Sequence, residues 1–183
     1  MILYTIQTEN RFNELQEKGY LVSDKNIIFE SDFLDSYSWL ENRMREKLPS
    51  PEIECLHPIW AWYKYNKKTK PTLKGQLSKG KTGYLIQFEI DDNLVLLSSF
   101  DKWHLILNAS EEEFKANKTI LDYYNQDDMS LLESDGFVVE DHKMVFDWNN
   151  IFLDKNSNEG TIQATFWCLK KEQIISYKKF KSR

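Results

Sequence analysis

Asp101 and His104 stand three residues apart in the phrase Ser99-Phe100-Asp101-Lys102-Trp103-His104, a spacing that turns both side chains to one side of a helix. A carboxylate beside an imidazole raises its basicity, so the two form an acid-base pair of the kind proton transfer needs. Gln163, in Ile162-Gln163-Ala164-Thr165-Phe166-Trp167, adds a third polar group if the late strand runs alongside. A plainer reading fits the same residues: Asp101 caps or solvates the helix, and His104 makes one backbone hydrogen bond.

Aromatic rings surround these groups. The chain has six tryptophans in 183 residues. Trp60 and Trp62, in Pro58-Ile59-Trp60-Ala61-Trp62-Tyr63, alternate onto one face of an extended segment, and Trp103 sits between Asp101 and His104 in sequence. Rings beside cations hold bases, each stacked base contributing about 1 to 3 kcal/mol. The same rings can instead fill a core between sheet and helix. Trp39 and Trp148 are expected to pack on helices.

Several chemistries lack their signatures. His57, His104 and His142 are scattered without the local pairing of zinc sites, so no metal is expected. No Gly-x-Ser-x-Gly turn occurs for a serine nucleophile. Gly80-Lys81-Thr82 lacks the spacing of a phosphate-binding Walker loop. Cys55 and Cys168 read as ordinary reduced thiols.

The formal net charge of −5 argues against bulk capture of nucleic acid, but its distribution is uneven. No acidic residue falls between Cys55 and Phe88, where Lys64, Lys67, Lys68, Lys70, Lys74, Lys79 and Lys81 lie. The tail turns basic again, at Lys170, Lys171, Lys178, Lys179, Lys181 and Arg183. If loop and tail meet, they make a positive rim suited to phosphate; otherwise the lysines are a solvated surface. No membrane span or cleavable leader is recognisable, and a cytosolic protein is expected.

The elements that must position these groups follow from pattern. Ile2 to Gln7 reads as a strand, and Thr8 caps a helix with Phe12 and Leu15 inside until Gly19 ends it. Ile27 to Phe29 reads as a second strand. Asp32 then caps a helix striped by Phe33, Tyr37, Leu40, Met44 and Leu48, which Pro49 and Pro51 end. Ile59 to Tyr65 is apolar on both faces, as in a central strand or one with an aromatic ligand face. Asn66 to Thr82 is a glycine and lysine loop. Tyr84 to Ile90 and Leu94 to Leu97, joined by Asp91-Asp92-Asn93, read as a hairpin. Ser99 caps a short helix through Leu107. The acidic stretch from Glu111 to Asp135 is expected to be partly helical. Asp147 to Phe152 reads as a helical turn, with strands over Gly160 to Leu169 and Ile174 to Phe180. The expected fold is one α+β domain over residues 1–183, a mixed or antiparallel sheet with a central hairpin packed by several helices.

Leu3-Tyr4-Thr5-Ile6-Gln7, the Pro58 to Tyr63 phrase, Leu96 to His104 and Ile162 to Trp167 together resemble the bacterial domain-of-unknown-function family numbered 3841, over nearly the whole chain. That resemblance implies kinship and carries no activity. A more distant similarity is to ADP-ribosyltransferase-like domains. It implies an NAD-facing first strand with Thr5 and Gln7 at the ligand, a second helix carrying Ser36, Tyr37 and Trp39, and a hairpin over Tyr84 to Leu97. Thr165 stands where that similarity expects a catalytic glutamate, and a neutral threonine poorly stabilises an oxocarbenium-like centre. The similarity thus implies nucleotide binding more strongly than transfer chemistry.

Two functions from different classes follow. One is a domain binding NAD or a related nucleotide, with Asp101, His104 and Gln163 doing chemistry and Thr5, Gln7, Trp60, Trp62 and Trp103 lining the ligand. The other is a non-enzymatic module that binds single-stranded nucleic acid or a protein partner through the lysine segment and the tryptophan face.

Overall fold

The computed structural model describes residues 1–23, 33–108, 137–140 and 143–183. The expected strand Ile27 to Phe29, the capping Asp32, the acidic stretch from Glu111 to Asp135 and His142 lie outside the described residues.

Local signals set the first elements. Strand β1, Ile2–Thr8, runs into helix α1, Glu9–Lys18, where the Thr8 hydroxyl accepts a hydrogen bond from the Arg11 N–H. Gly19 ends the helix in the left-handed region at φ 80°, its N–H donating to the Leu15 carbonyl. A short strand β2, Tyr20–Val22, follows. Helix α2, Leu34–Lys47, buries Leu40 and Met44 and stops just before Pro49. Strand β3 is Ile59–Lys64, β4 is Thr82–Glu89 and β5 is Leu96–Ser99. Ser99 caps helix α3, Phe100–Asn108, its hydroxyl accepting from the Lys102 N–H. Strands β6, Phe137–Glu140, and β7, Lys143–Phe146, pair with each other as a separate two-stranded sheet among the described residues. A 3-10 turn, Trp148–Ile151, is capped by Asp147 and leads into β8, Phe152–Leu153. Strands β9, Ile162–Phe166, β10, Cys168–Lys170, and β11, Ile174–Lys181, complete the described chain.

The main sheet is antiparallel with seven strands in the order β11-β4-β1-β3-β9-β5-β8. Its faces divide the core. On one, Leu3, Ile86, Phe88, Ala164 and Phe166 pack with Phe12 and Leu15 of α1. On the other, Trp60, Leu96 and Phe152 meet Leu40 and Met44 of α2 and Trp103 and Ile106 of α3. The Ser36 hydroxyl ties the two helices by donating to the Ile106 carbonyl at 3.2 Å.

Two sequence expectations are corrected. The expected central hairpin from Tyr84 to Leu97 does not form, because β4 has both edges filled by β1 and β11. Ile90 donates its N–H to the Met1 carbonyl, and a 3-10 turn at Asp92–Leu94 carries the chain along the sheet end to β5, beside β9. The apolar run from Gly160 to Leu169 is likewise two strands. It breaks at Trp167, after which β10 leaves the main sheet and pairs with β2. Ile59–Lys64 is a central strand as its two apolar faces suggest, set between β1 and β9.

Candidate functional site

Thr5 and Gln7 are joined to each other and to the sheet. The β1–β3 ladder registers at Tyr4 and Trp62. Beside that point the Thr5 hydroxyl donates to the Trp60 carbonyl at 2.9 Å, and the Gln7 amide donates to the Thr5 hydroxyl at 2.9 Å. Thr5 is 1% exposed, so these bonds satisfy a buried seam between strands.

Register places Trp60 and Trp62 with Thr165, Gln163, Leu96 and Ser98 on the sheet face that α2 and α3 cover. The rings pack in two groups. Trp60, Trp103 and Tyr37 stand 5.4 to 6.4 Å apart by centroid, with Tyr37 edge-on to both indoles. Burial of Tyr37 raises its phenol above the ordinary value. Trp62 meets Phe100 at 5.5 Å and Tyr65 at 4.9 Å. Trp60 and Trp62 are thus half-buried among these rings. Trp39 and Trp148 pack edge to face at 5.3 Å.

His104 lies against the Phe100 ring at 4.1 Å, and its Nδ1 is 2.8 Å from the Phe100 carbonyl one turn earlier. Asp101 is exposed in the first turn of α3, and no bond joins it to His104 among the described residues. Gln163 stands opposite Trp62 on one side and Ser98 on the other. Its Oε1 and the Ser98 Oγ are buried and lack a hydrogen-bond partner among the described residues. The fold thus brings Gln163, Trp62 and Ser98 into one cross-strand row. Ser98 gave no sequence signal beyond its place before the helix cap. The Thr165 hydroxyl donates to the Leu96 carbonyl at 3.4 Å.

A histidine-carboxylate contact forms elsewhere, at a pair that the sequence did not single out. His57 Nδ1 and Glu41 Oε1 are 2.6 Å apart, half-buried between the loop before β3 and α2. They are 16 residues apart, and only the fold reveals the contact.

The lysine loop and the basic tail do meet. Gly80 donates its N–H to the Ser182 carbonyl, Ser182 returns a bond to the Lys81 carbonyl, and the Ser182 hydroxyl donates to Leu77. Beside this seam is a groove of about 640 Å³ lined by Lys74 of the loop and Lys178, Phe180, Lys181 and Arg183 of the tail. None of its lining residues is acidic, and its four cations form no ion pair among the described residues. Lys179 is committed elsewhere, 2.6 Å from Glu9 and over the Tyr84 ring. Tyr177, on the same edge strand, is 57% exposed and backed by Phe12 at 4.8 Å.

Among the described residues no three His, Cys, Asp or Glu side chains gather as a metal site, and no helix is long and apolar enough to cross a membrane. A family model described as a domain of unknown function, DUF3841, matches residues 2–175. No curated protein and no solved structure matches the chain, so the similarity to ADP-ribosyltransferase-like domains gains no support.

Proposed function

The chain belongs to the DUF3841 family, whose description carries no activity, and from its own residues we propose a non-enzymatic module that binds single-stranded nucleic acid along its basic edge. The carrying observation is the groove in which Lys74, Lys178, Lys181 and Arg183 converge from two distant parts of the chain with no acidic lining residue. Phosphates neutralised by such cations release counterions, which yields affinity without sequence preference. Phe180 in the groove offers a ring for a base. This reading puts the stacking role on Phe180 of the edge strand instead of on Trp60 and Trp62.

The test is fluorescence anisotropy of a labelled oligothymidylate across a salt series. Saturable binding is expected, with log K falling by about 0.7 per phosphate neutralised for each unit of log salt. The double variant Lys178→Glu and Lys181→Glu should abolish binding while leaving the unfolding transition in place. No binding at low salt, or binding indifferent to the charge reversals, overturns the proposal.

A second reading, a nucleotide-sized ligand such as NAD, is favoured by the row of Gln163 and Ser98, whose buried Oε1 and Oγ a ligand's polar edge would satisfy. In it Trp62 and Phe100 flank the ligand, with His104 and Asp101 on the adjoining helix. Thermal-shift measurement with NAD and mononucleotides tests it. Stabilisation lost in Gln163→Leu supports this reading, and no stabilisation by any nucleotide removes it.

A further inference from the structure

A second cavity, apart from the basic groove, lies at one end of the main sheet. Where β9 breaks and the β4–β5 connection crosses below it, a cavity of about 200 Å³ remains under the segment that follows α2. Its walls are apolar, from Leu48, Ile53, Ile90, Leu94 and Phe166. A dry cavity of about 150 Å³ is enough to hold benzene, so a ring-sized body fits.

Apart from Glu52 and the Ser50 hydroxyl, which can donate or accept, the polar side chains at this cavity offer donors. Trp167 lines it, is 5% exposed, and its buried indole N–H has no partner among the described residues. An indole N–H can only donate. Gln173 uses its Oε1 to accept the Lys170 N–H at 2.7 Å, which leaves its amide hydrogens. Cys168 lines it as a neutral thiol, which burial raises further, to about 11. The acidic side chain at the cavity, Glu52, is 79% exposed and already held by the Lys170 ammonium at 2.8 Å. An apolar cavity with an orphaned donor and a cation calls for a ligand with an apolar body and an anionic acceptor.

We propose that this cavity binds a small apolar monocarboxylate, its body among Leu48, Ile53, Leu94 and Phe166 and its carboxylate accepting from the Trp167 indole N–H and the Lys170 ammonium. Glu52 is then displaced from Lys170 into solvent. The ligand replaces one carboxylate by another at the cation and adds the missing acceptor at the indole. The site shares no residue with the basic groove.

Benzoate is the probe, with benzyl alcohol as its neutral counterpart, titrated into the full chain and followed by the indole N–H resonances. Trp167→Phe identifies the resonance that belongs to Trp167. Benzoate should shift that resonance saturably, and benzyl alcohol should bind about tenfold more weakly or worse. Lys170→Met should weaken benzoate by a similar factor and leave benzyl alcohol unchanged. Leu94→Trp, which fills the cavity, should abolish the shift, and Ile53→Trp does the same from another wall if the first variant does not fold. No saturable shift with benzoate, equal binding of benzyl alcohol, or binding that survives the filled cavity overturns the proposal. Oligonucleotide affinity should not respond to any of these variants, so failure here is distinct from failure at the basic groove.

Discussion

Gln163 faces Ser98 across the β9–β5 ladder, and each buries a polar atom that nothing among the described residues engages. A buried unsatisfied polar atom costs about 1 to 3 kcal/mol, so removing one should not destabilise the fold. Ser98→Ala is expected to leave urea stability unchanged or raise it by about 1 kcal/mol. A clear loss would show that an ordered water or a ligand satisfies the hydroxyl in solution, and would favour the nucleotide reading of this row.

Thr5 should behave in the opposite way. Its hydroxyl is at once donor to the Trp60 carbonyl and acceptor from Gln7, at a seam where β1 and β3 register at Tyr4 and Trp62. Thr5→Val keeps the shape and strands both partners. A loss of about 1 to 3 kcal/mol is expected by urea unfolding, with Thr5→Ser recovering most of it. An unchanged midpoint in Thr5→Val would return Thr5 to the pool of ligand-binding candidates.

What was legible in the sequence was local. Thr8, Gly19 and Ser99 cap their elements as the sequence suggests because capping depends on residues within one turn. The stripe of Leu40, Met44 and Leu48 marked the buried face of α2 for the same reason. Strand pairing was not legible. Nothing near Asp91 says that β1 and β11 have filled both edges of β4, and the apolar run through Trp167 hides a change of sheet. Contacts between distant residues at the candidate sites were no more legible. The spacing of Asp101 and His104 allows a pair, but the Phe100 carbonyl one turn back lies within hydrogen-bond distance of the imidazole. Lys74 and Lys181 form one groove because Ser182 is bonded to the loop, a contact more than a hundred residues apart in sequence.

Cys168 gives a pH dependence. Burial raises its thiol from an ordinary value of 9 to about 11, so the folded state holds that proton more tightly than the unfolded chain. The resulting stability is fully present below pH 9 and is lost as pH rises through about 11. Urea stability of the parent protein should therefore fall across that window relative to Cys168→Ala, whose curve lacks this component. Cys55 is raised by burial as well, which makes the single-site comparison necessary. Parallel curves for the two proteins would show that Cys168 is not desolvated.

Gly83 tests whether the basic groove depends on the seat of the lysine loop. A Cβ at this position would come within 2.3 Å of the Leu77 Cδ1, 3.1 Å of the Gln7 carbonyl oxygen and 3.2 Å of the Phe180 ring. The Leu77 side chain can turn away, but the Gln7 backbone is fixed in the β1–β4 ladder and Phe180 in the edge strand. Gly83→Ala should therefore cost about 1 to 3 kcal/mol of stability through overpacking. Turning the Leu77 side chain out of its seat loosens the loop at the residue whose carbonyl accepts from the Ser182 hydroxyl. Displacing the loop withdraws Lys74 from the groove while Lys178 and Lys181 stay on β11. Oligothymidylate binding should weaken, and its salt slope should fall by about 0.7, the share of one phosphate contact, although no charge has been removed. Unchanged affinity and slope in a folded Gly83→Ala protein would mean that the tail alone binds the strand and that the loop lysines are only a solvated surface.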